Sequence, residues 1–330
     1  MTSETSLPVE PAGRRSRRAR RGVRRGSAHW MARRKRHLRQ LPPTVRALLW
    51  SMLAGLMFVV LNSTMRAITF ELHPFETQFL RYLAGTLVLL PWVLRDGWRA
   101  YLPRDMRGQF LRGGVHTFGL CLWFLAIPHI TLADTTAIGF TTPLFIMLGA
   151  WLVFKEPMRW ERWAAALIGF GGVLIVVAPK LTGGNLYSLM MLACCPVFAA
   201  SFLITKRLTR YETSGVIVLW QSITVTLLSL PFAIQVWQMP TAAHLWLFLI
   251  CGVLGSAGHY CLTRSYRIAD ISASQSVKFL ELVWASIVGW MMFGDLPSQW
   301  TLAGGVVIAA STVWIAHREA RIALEEGQRG

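Results

Sequence analysis

The sequence predicts an all-α integral membrane protein of ten transmembrane helices, built as two inverted five-helix repeats. Three observations carry this prediction: an apolar composition interrupted by turn and charge signals, basic residues confined to alternate loops, and a motif that returns in the second half of the chain.

The 330 residues are 54% apolar and 15% charged, with a mean hydropathy of +0.43. A soluble domain would carry about a quarter charged residues. Residues 1–46 hold 14 of the 34 Lys and Arg, against Glu4 and Glu10 as the only acids. The membrane body is therefore mildly basic, and a pI near 10.9 says nothing in favour of nucleic-acid binding. The cysteines Cys121, Cys194, Cys195, Cys251 and Cys261 all fall in apolar stretches, without CxxC or zinc-type spacing. No metal and no cofactor are expected. The first 40 residues lack an apolar core, so no cleavable signal peptide is expected either.

A helix needs about 20 mostly apolar residues to cross about 30 Å of hydrocarbon. Ten segments qualify: 47–65, 75–94, 110–127, 131–154, 161–178, 186–205, 213–234, 243–263, 270–293 and 299–316. Turn or charge signals separate them, among them His73-Pro74, Arg95-Asp96-Gly97, Pro128, Lys155-Glu156-Pro157 and Gly294-Asp295. The expected organisation is a basic cytoplasmic tail (1–46), a first repeat (47–178), a second repeat (186–316) and a C-terminal tail (317–330). Gly139 and Thr142-Pro143 are expected to break the fourth span, and Pro196 to kink the sixth. Gly169, Gly171, Gly172, Gly304 and Gly305 are expected at close helix contacts.

Loop charges set the orientation. With the N-terminus inside, the inner segments hold basic residues from Arg95 to Arg329, including Arg112, Lys155, Arg162 and Lys206, whereas the outer loops hold only Arg66 and Lys180. Both termini are then cytoplasmic, in the cell (inner) membrane. The repeat shows in GAWLVFKEP (149–157) and VGWMMFGDLP (288–297), which align Trp151 with Trp290 and Glu156 with Asp295. Ala133-Asp134 likewise aligns with Ala269-Asp270. Five spans per half is an odd number, so the halves insert upside down relative to one another, an arrangement suited to alternating access.

These stretches, with HPFETQFLRYLAGTLVLLP (73–91), FLAIPHITLADTTAIGFTTPLFIMLGAWLVFKEP (124–157) and SYRIADISASQSVKFLELVWASIVGWMMFGDLP (265–297), resemble the drug/metabolite transporter superfamily, EamA-type. The resemblance spans about residues 45–316. It implies ten helices, a central cavity between the halves, coupling to a proton or exchange gradient in many members, and no enzymatic activity. Its substrates include amino acids, nucleosides, vitamins, S-adenosylmethionine and drugs, so it does not name one. A departure stands at Ser276-Val277-Lys278, where relatives often carry apolar-aromatic or acidic residues; a cation there would alter the charge the cavity accepts.

Ionisable residues inside a membrane span cost several kcal/mol unless they face a cavity or a partner. Lys278 and Glu281, three apart on one helical face, are expected to line the cavity, the alternative being a locking ion pair. Arg81 offers a bidentate contact for an anionic solute group, the alternatives being snorkelling or pairing with Glu76. The resemblance also puts it at a recurring Arg position, implying a shared role such as gating. Further candidates for substrate binding are Asn62, His116 and Trp123, then Gln221 beside Trp220, and Tyr260 beside His259.

The basic tail is too polar to fold and suits the anionic inner leaflet. A start at Met31, with the flank ARRKRHLRQ, would be expected to leave insertion intact. The function read from all this is secondary-active transport of a small organic metabolite, such as an amino acid, vitamin or nucleoside-like compound. The alternatives are a non-transporting membrane scaffold and an integral membrane enzyme, for which no catalytic cluster is present in the sequence. The expected partners are a small-molecule substrate and the lipid bilayer, with a homodimer left open and no nucleic acid.

Overall fold

Polar caps define where the apolar segments become helices. The computed structural model describes residues 41–329 apart from 130–134, 136–137, 140, 157–158, 178–185, 276, 279 and 294–298. The basic tail up to residue 40, Lys180, Ser276 and Asp295 lie outside the described residues.

Helix α1 (Pro43–Ile68) opens on a proline, whose missing N–H is no loss in a first turn. Helix α2 (Pro74–Asp96) is capped by His73, whose Nδ1 accepts from Phe75 N at 3.3 Å, and ends at Gly97 with φ 83°. Helix α3 (Met106–Ala126) is capped by Asp105, which accepts from Gly108 N at 2.8 Å. Helices α4 (Thr141–Phe154) and α5 (Trp160–Val177) complete the first half. In the second half, α6 (Leu186–Leu208) precedes α7 (Ser214–Gln235), whose Thr213 cap accepts from Val216 N. Helix α8 (Ala242–Ile268) begins with a Thr241/His244 capping box. Short α9 (Ile271–Gln275), α10 (Leu280–Phe293) and α11 (Gln299–Arg329) follow.

All described regular structure is helical. Among the described residues, six helices are long and apolar enough to cross a membrane: those containing Pro43–Ile68, Pro74–Asp96, Met106–His129, Leu189–Leu208, Ser214–Gln235 and Ala242–Ile268. Thr141–Phe154, Val283–Met292 and Leu302–Ile315 are shorter apolar helices. The ninth predicted span is two helices, because its backbone tightens into single turns at Lys278 N→Gln275 O, Leu280 N→Val277 O and Glu281 N→Lys278 O. Helix α11 runs through the segment read as a C-terminal tail.

The principal helix pairs recur when the two halves exchange places. Helix α1 packs on α8 as α6 packs on α3. Helix α8 packs on α2 as α3 packs on α7, and α4 packs on α6 as α10 packs on α1. The pairs α2·α7 and α5·α11 map onto themselves. The residue register agrees. Thr86-Leu87 and Leu90-Pro91 in α2 return 140 residues later as Thr226-Leu227 and Leu230-Pro231 in α7. A methyl group on Gly119 would lie 2.9 Å from the Phe198 ring; one on Gly258, 139 residues on, would lie 3.0 Å from the ring of Phe58, the counterpart of Phe198. Two further crossings are tighter. A methyl on Gly252 would meet the Ala84 main-chain carbon at 2.7 Å, and one on Gly113 would meet Thr224 Cβ at 2.5 Å. The expectation for Gly171 and Gly305 is corrected, because a methyl on either meets nothing within 4 Å among the described residues. Glycines that do sit at tight crossings include Gly252 at α2·α8, Gly113 at α3·α7 and Gly149 at α4·α6.

The starts of α1 and α5 and Arg318 of α11 meet at one end of the bundle, called here the terminal end, as the contacts Ser265–Ala47, Arg162–Asp270 and Arg318–Glu161 show. It is laced by polar contacts. Glu156 accepts from Ile271 N (3.0 Å), Ser272 N (3.2 Å) and Ser272 Oγ (2.7 Å) at the start of α9. Arg162 pairs with Asp270 at 3.3 Å and donates to Ser272 Oγ at 2.9 Å. Lys206 Nζ donates to the carbonyls of Tyr266 and Ala269, and Ser265 Oγ to that of Ala47. The distal end is held by Glu71–His244 at 2.9 Å and by Gln238 N donating to Glu76 at 3.0 Å.

Candidate functional site

A cavity of about 200 Å³ opens between the halves. Its lining begins in mid-bundle at Phe202, His259 and Lys278 and extends towards the distal end at Met65, Phe124 and Met191. The terminal-end contacts lie beyond its floor. Six of the sequence-derived candidates line this one cavity: Asn62, Arg81, His116, Trp123, Lys278 and Glu281.

Lys278 lies within the interruption between α9 and α10, and Glu281 in the first turn of α10. Nζ lies 2.9 Å from Oε1, off the hydrogen-bond direction, so the contact is an ion pair rather than an aligned hydrogen bond. Their side chains are 15% and 19% exposed. The Lys278 ammonium also sits 5.6 Å from the Phe58 ring centroid and 6.0 Å from that of Phe202, within cation–π range. Gly55 makes room for the carboxylate: a methyl there would lie 2.9 Å from Glu281 Cγ.

Arg81 is 7% exposed and its Cζ lies 4.1 Å over the Tyr82 ring. It makes no ion pair or hydrogen bond among the described residues. Glu76, the sequence-level candidate partner, is engaged instead by Gln238 N. The guanidinium rests on Gly255, where a methyl would come within 2.9 Å of Nη2.

His116 has both ring nitrogens engaged: Nε2 with Tyr82 OH at 3.0 Å and Nδ1 with Ser201 Oγ at 3.1 Å. The His259 ring stands edge-on to it at 5.6 Å. Gln221 does not line the cavity. It is buried one layer behind, within 3.4 Å of His259 Nε2, and its Oε1 accepts from Arg112 Nη2 at 2.5 Å. Tyr260 is 41% exposed on the outer face, edge-to-face with Trp50. Neighbouring residues on a helix diverge by about 100°, and here His259 lines the cavity while Tyr260 faces outward.

Sequence reasoning missed Arg112, which it counted as an inner-loop charge. The residue sits in α3 at 1% exposure. Its Nε donates to Thr205 Oγ1 (2.5 Å) and its Nη1 to the Ile217 carbonyl (2.9 Å), besides the bond to Gln221. It also missed Phe58 and Phe198, which line the cavity in equivalent places. Their 140-residue spacing could have disclosed them.

Comparison with known proteins supplies the family. The EamA-like transporter family model matches residues 45–178 and again 185–316. The S-adenosylmethionine uptake transporter of Rickettsia prowazekii is 28% identical over 249 residues, 76% of this chain and 85% of that one. The riboflavin transporter of Vibrio cholerae is 29% identical over 278 residues, 83% of this chain and 93% of its own. The riboflavin transporter of Rhizobium johnstonii is 30% identical over 276 residues, covering 83% and 91%. A crystal structure 18% identical in sequence superposes with a TM-score of 0.69, covering 83% of this chain and 97% of its own, so the fold is shared. Both halves carry the family's pattern, and the chain belongs to the EamA-like transporter family.

Proposed function

We propose that this protein is a secondary-active transporter that carries a small organic metabolite through the mid-bundle cavity by alternating access. One observation carries the reading: the cavity lies between halves whose packing is interchangeable, and the hydrogen-bonded seal lies beyond its floor at the terminal end. A bundle with interchangeable halves has a second arrangement of similar energy, in which the opposite end is sealed. The similar chains named for S-adenosylmethionine and riboflavin support a metabolite-sized solute. The charge bias of the loops supports a cytoplasmic terminal end in the inner membrane. Lys278 and Glu281 are the residues to test first, because both charges meet at the helix interruption.

Purified protein in liposomes should carry at least one member of a panel of amino acids, vitamins and nucleosides. The double variant Lys278→Ala/Glu281→Ala should carry none. Wild-type flux in that variant overturns the site, and absence of flux across the panel favours a scaffold or enzyme.

A further inference from the structure

We infer that Arg81 is the specificity-determining residue of this cavity, and that the solute it selects bears a carboxylate or similar planar oxyanion next to a flat unsaturated ring. The inference rests on the transport reading and names the class of solute.

Charge balance is the first step. The cavity's ionised side chains among the described residues are Arg81, Lys278 and Glu281. Lys278 and Glu281 cancel at 2.9 Å. Arg81 remains, nine-tenths buried, with no acid and no hydrogen-bond acceptor among the described residues. A buried cation without an acceptor is a costly arrangement unless an anion arrives to share the site. The bundle satisfies such a group where its role is structural: Arg112 has three acceptors within 2.9 Å.

Presentation is the second step. The Arg81 guanidinium carbon lies 4.1 Å from the Tyr82 ring centroid, a cation–π contact that uses none of its N–H hydrogen-bonding capacity for an acceptor, and Arg81 lines the cavity, where a planar oxyanion could engage it bidentately. Gly255 supports the guanidinium from behind, and any side chain there would push it away. Tyr82 is itself fixed by its bond to His116, so the stacking platform cannot swing aside freely.

The walls supply the third step. Phe58, Trp123, Phe124 and Phe198 line the same space. Such side chains favour the faces and edges of a flat ring, and a volume of about 200 Å³ suits one or two fused rings with a short acidic arm.

The test uses a shape-matched pair, indole-3-acetate and indole-3-acetamide, measured by calorimetric titration of the purified full-length protein at pH 7.5. Wild type should bind the acid at least tenfold more tightly than the amide. Arg81→Gln should abolish the preference by weakening the acid alone, and Arg81→Lys should keep part of it. Should Arg81→Gln fail to fold, Gly255→Ala keeps every charge yet displaces the guanidinium, and the preference should fall. Equal affinity for the two probes in wild type overturns the inference, as does binding of neither at millimolar concentration or an undiminished preference in Arg81→Gln. Failure of the transport reading looks different: the acid preference persists while no solute crosses a liposome membrane. Conversely, liposome flux of neutral ring compounds equal to that of their acids overturns the charge assignment and leaves transport standing.

Discussion

Helices α2 and α8 cross around Arg81, Cys251 and Gly255; helices α7 and α3 cross around the corresponding residues Gln221, Arg112 and His116, 140 or 139 positions away. Both crossings bury one guanidinium, but on opposite members of the pair. At α3·α7 the guanidinium is roofed by Gln221, Thr205 and a carbonyl, and is sealed from the cavity. At α2·α8 the equivalent of Gln221 is the arginine itself, and the equivalent of His116 is a glycine that offers it no acceptor. Duplicated architecture has thus produced one arginine held by the bundle and one presented to the cavity. A buried charge therefore cannot be assigned a role from its burial alone; its acceptors decide.

The sharpest way to break the comparison is to make the same substitution at both. Each of Arg112→Gln and Arg81→Gln removes a buried cation, so the difference between them reports the hydrogen bonds. Arg112→Gln loses three charge-assisted bonds and strands Gln221, and should destabilise the folded protein by about 3 kcal/mol. Thermal melting in detergent measures this, and a melting temperature equal to wild type would remove Arg112 from its structural role. A smaller effect is expected at the glycines of the two crossings. Gly252→Ala drives a methyl into the Ala84 main chain and should cost about 2 kcal/mol, with no second side-chain change able to relieve it. Gly113→Ala meets Thr224, and Thr224→Gly should restore part of the loss; an equal rescue at both crossings would contradict the difference in what each glycine faces. No loss is expected for Arg81→Gln, which gives up no bond and relieves a buried cation that has no acceptor among the described residues, so its melting temperature should equal or exceed that of wild type. A fall as large as that of Arg112→Gln would show that Arg81 is held by the bundle after all.

Much of this was legible in the linear chain. Spans of about 20 apolar residues, capped by residues such as His73, Asp105 and Thr213, specify helices because the backbone must satisfy itself in lipid. Six of the eight candidate site residues share a cavity because polar groups in apolar spans point towards other polar groups or water. The remaining two were beyond reach. Nothing in the dipeptide His259-Tyr260 says which ring faces inward, and Gln221 owes its position to Arg112, which sequence alone counted among the loop charges.

The sequence by itself determined the helical class, the duplication and the asymmetry of charge between the bundle's ends, because each is a local property of composition and spacing. Only the tertiary structure decided which arginine has acceptors, which of two adjacent side chains faces the cavity, and which glycines sit at a helix crossing. Those outcomes depend on groups brought together from positions more than 90 residues apart, as Arg112 is from Thr205 and Gln221, and no local pattern encodes such a meeting.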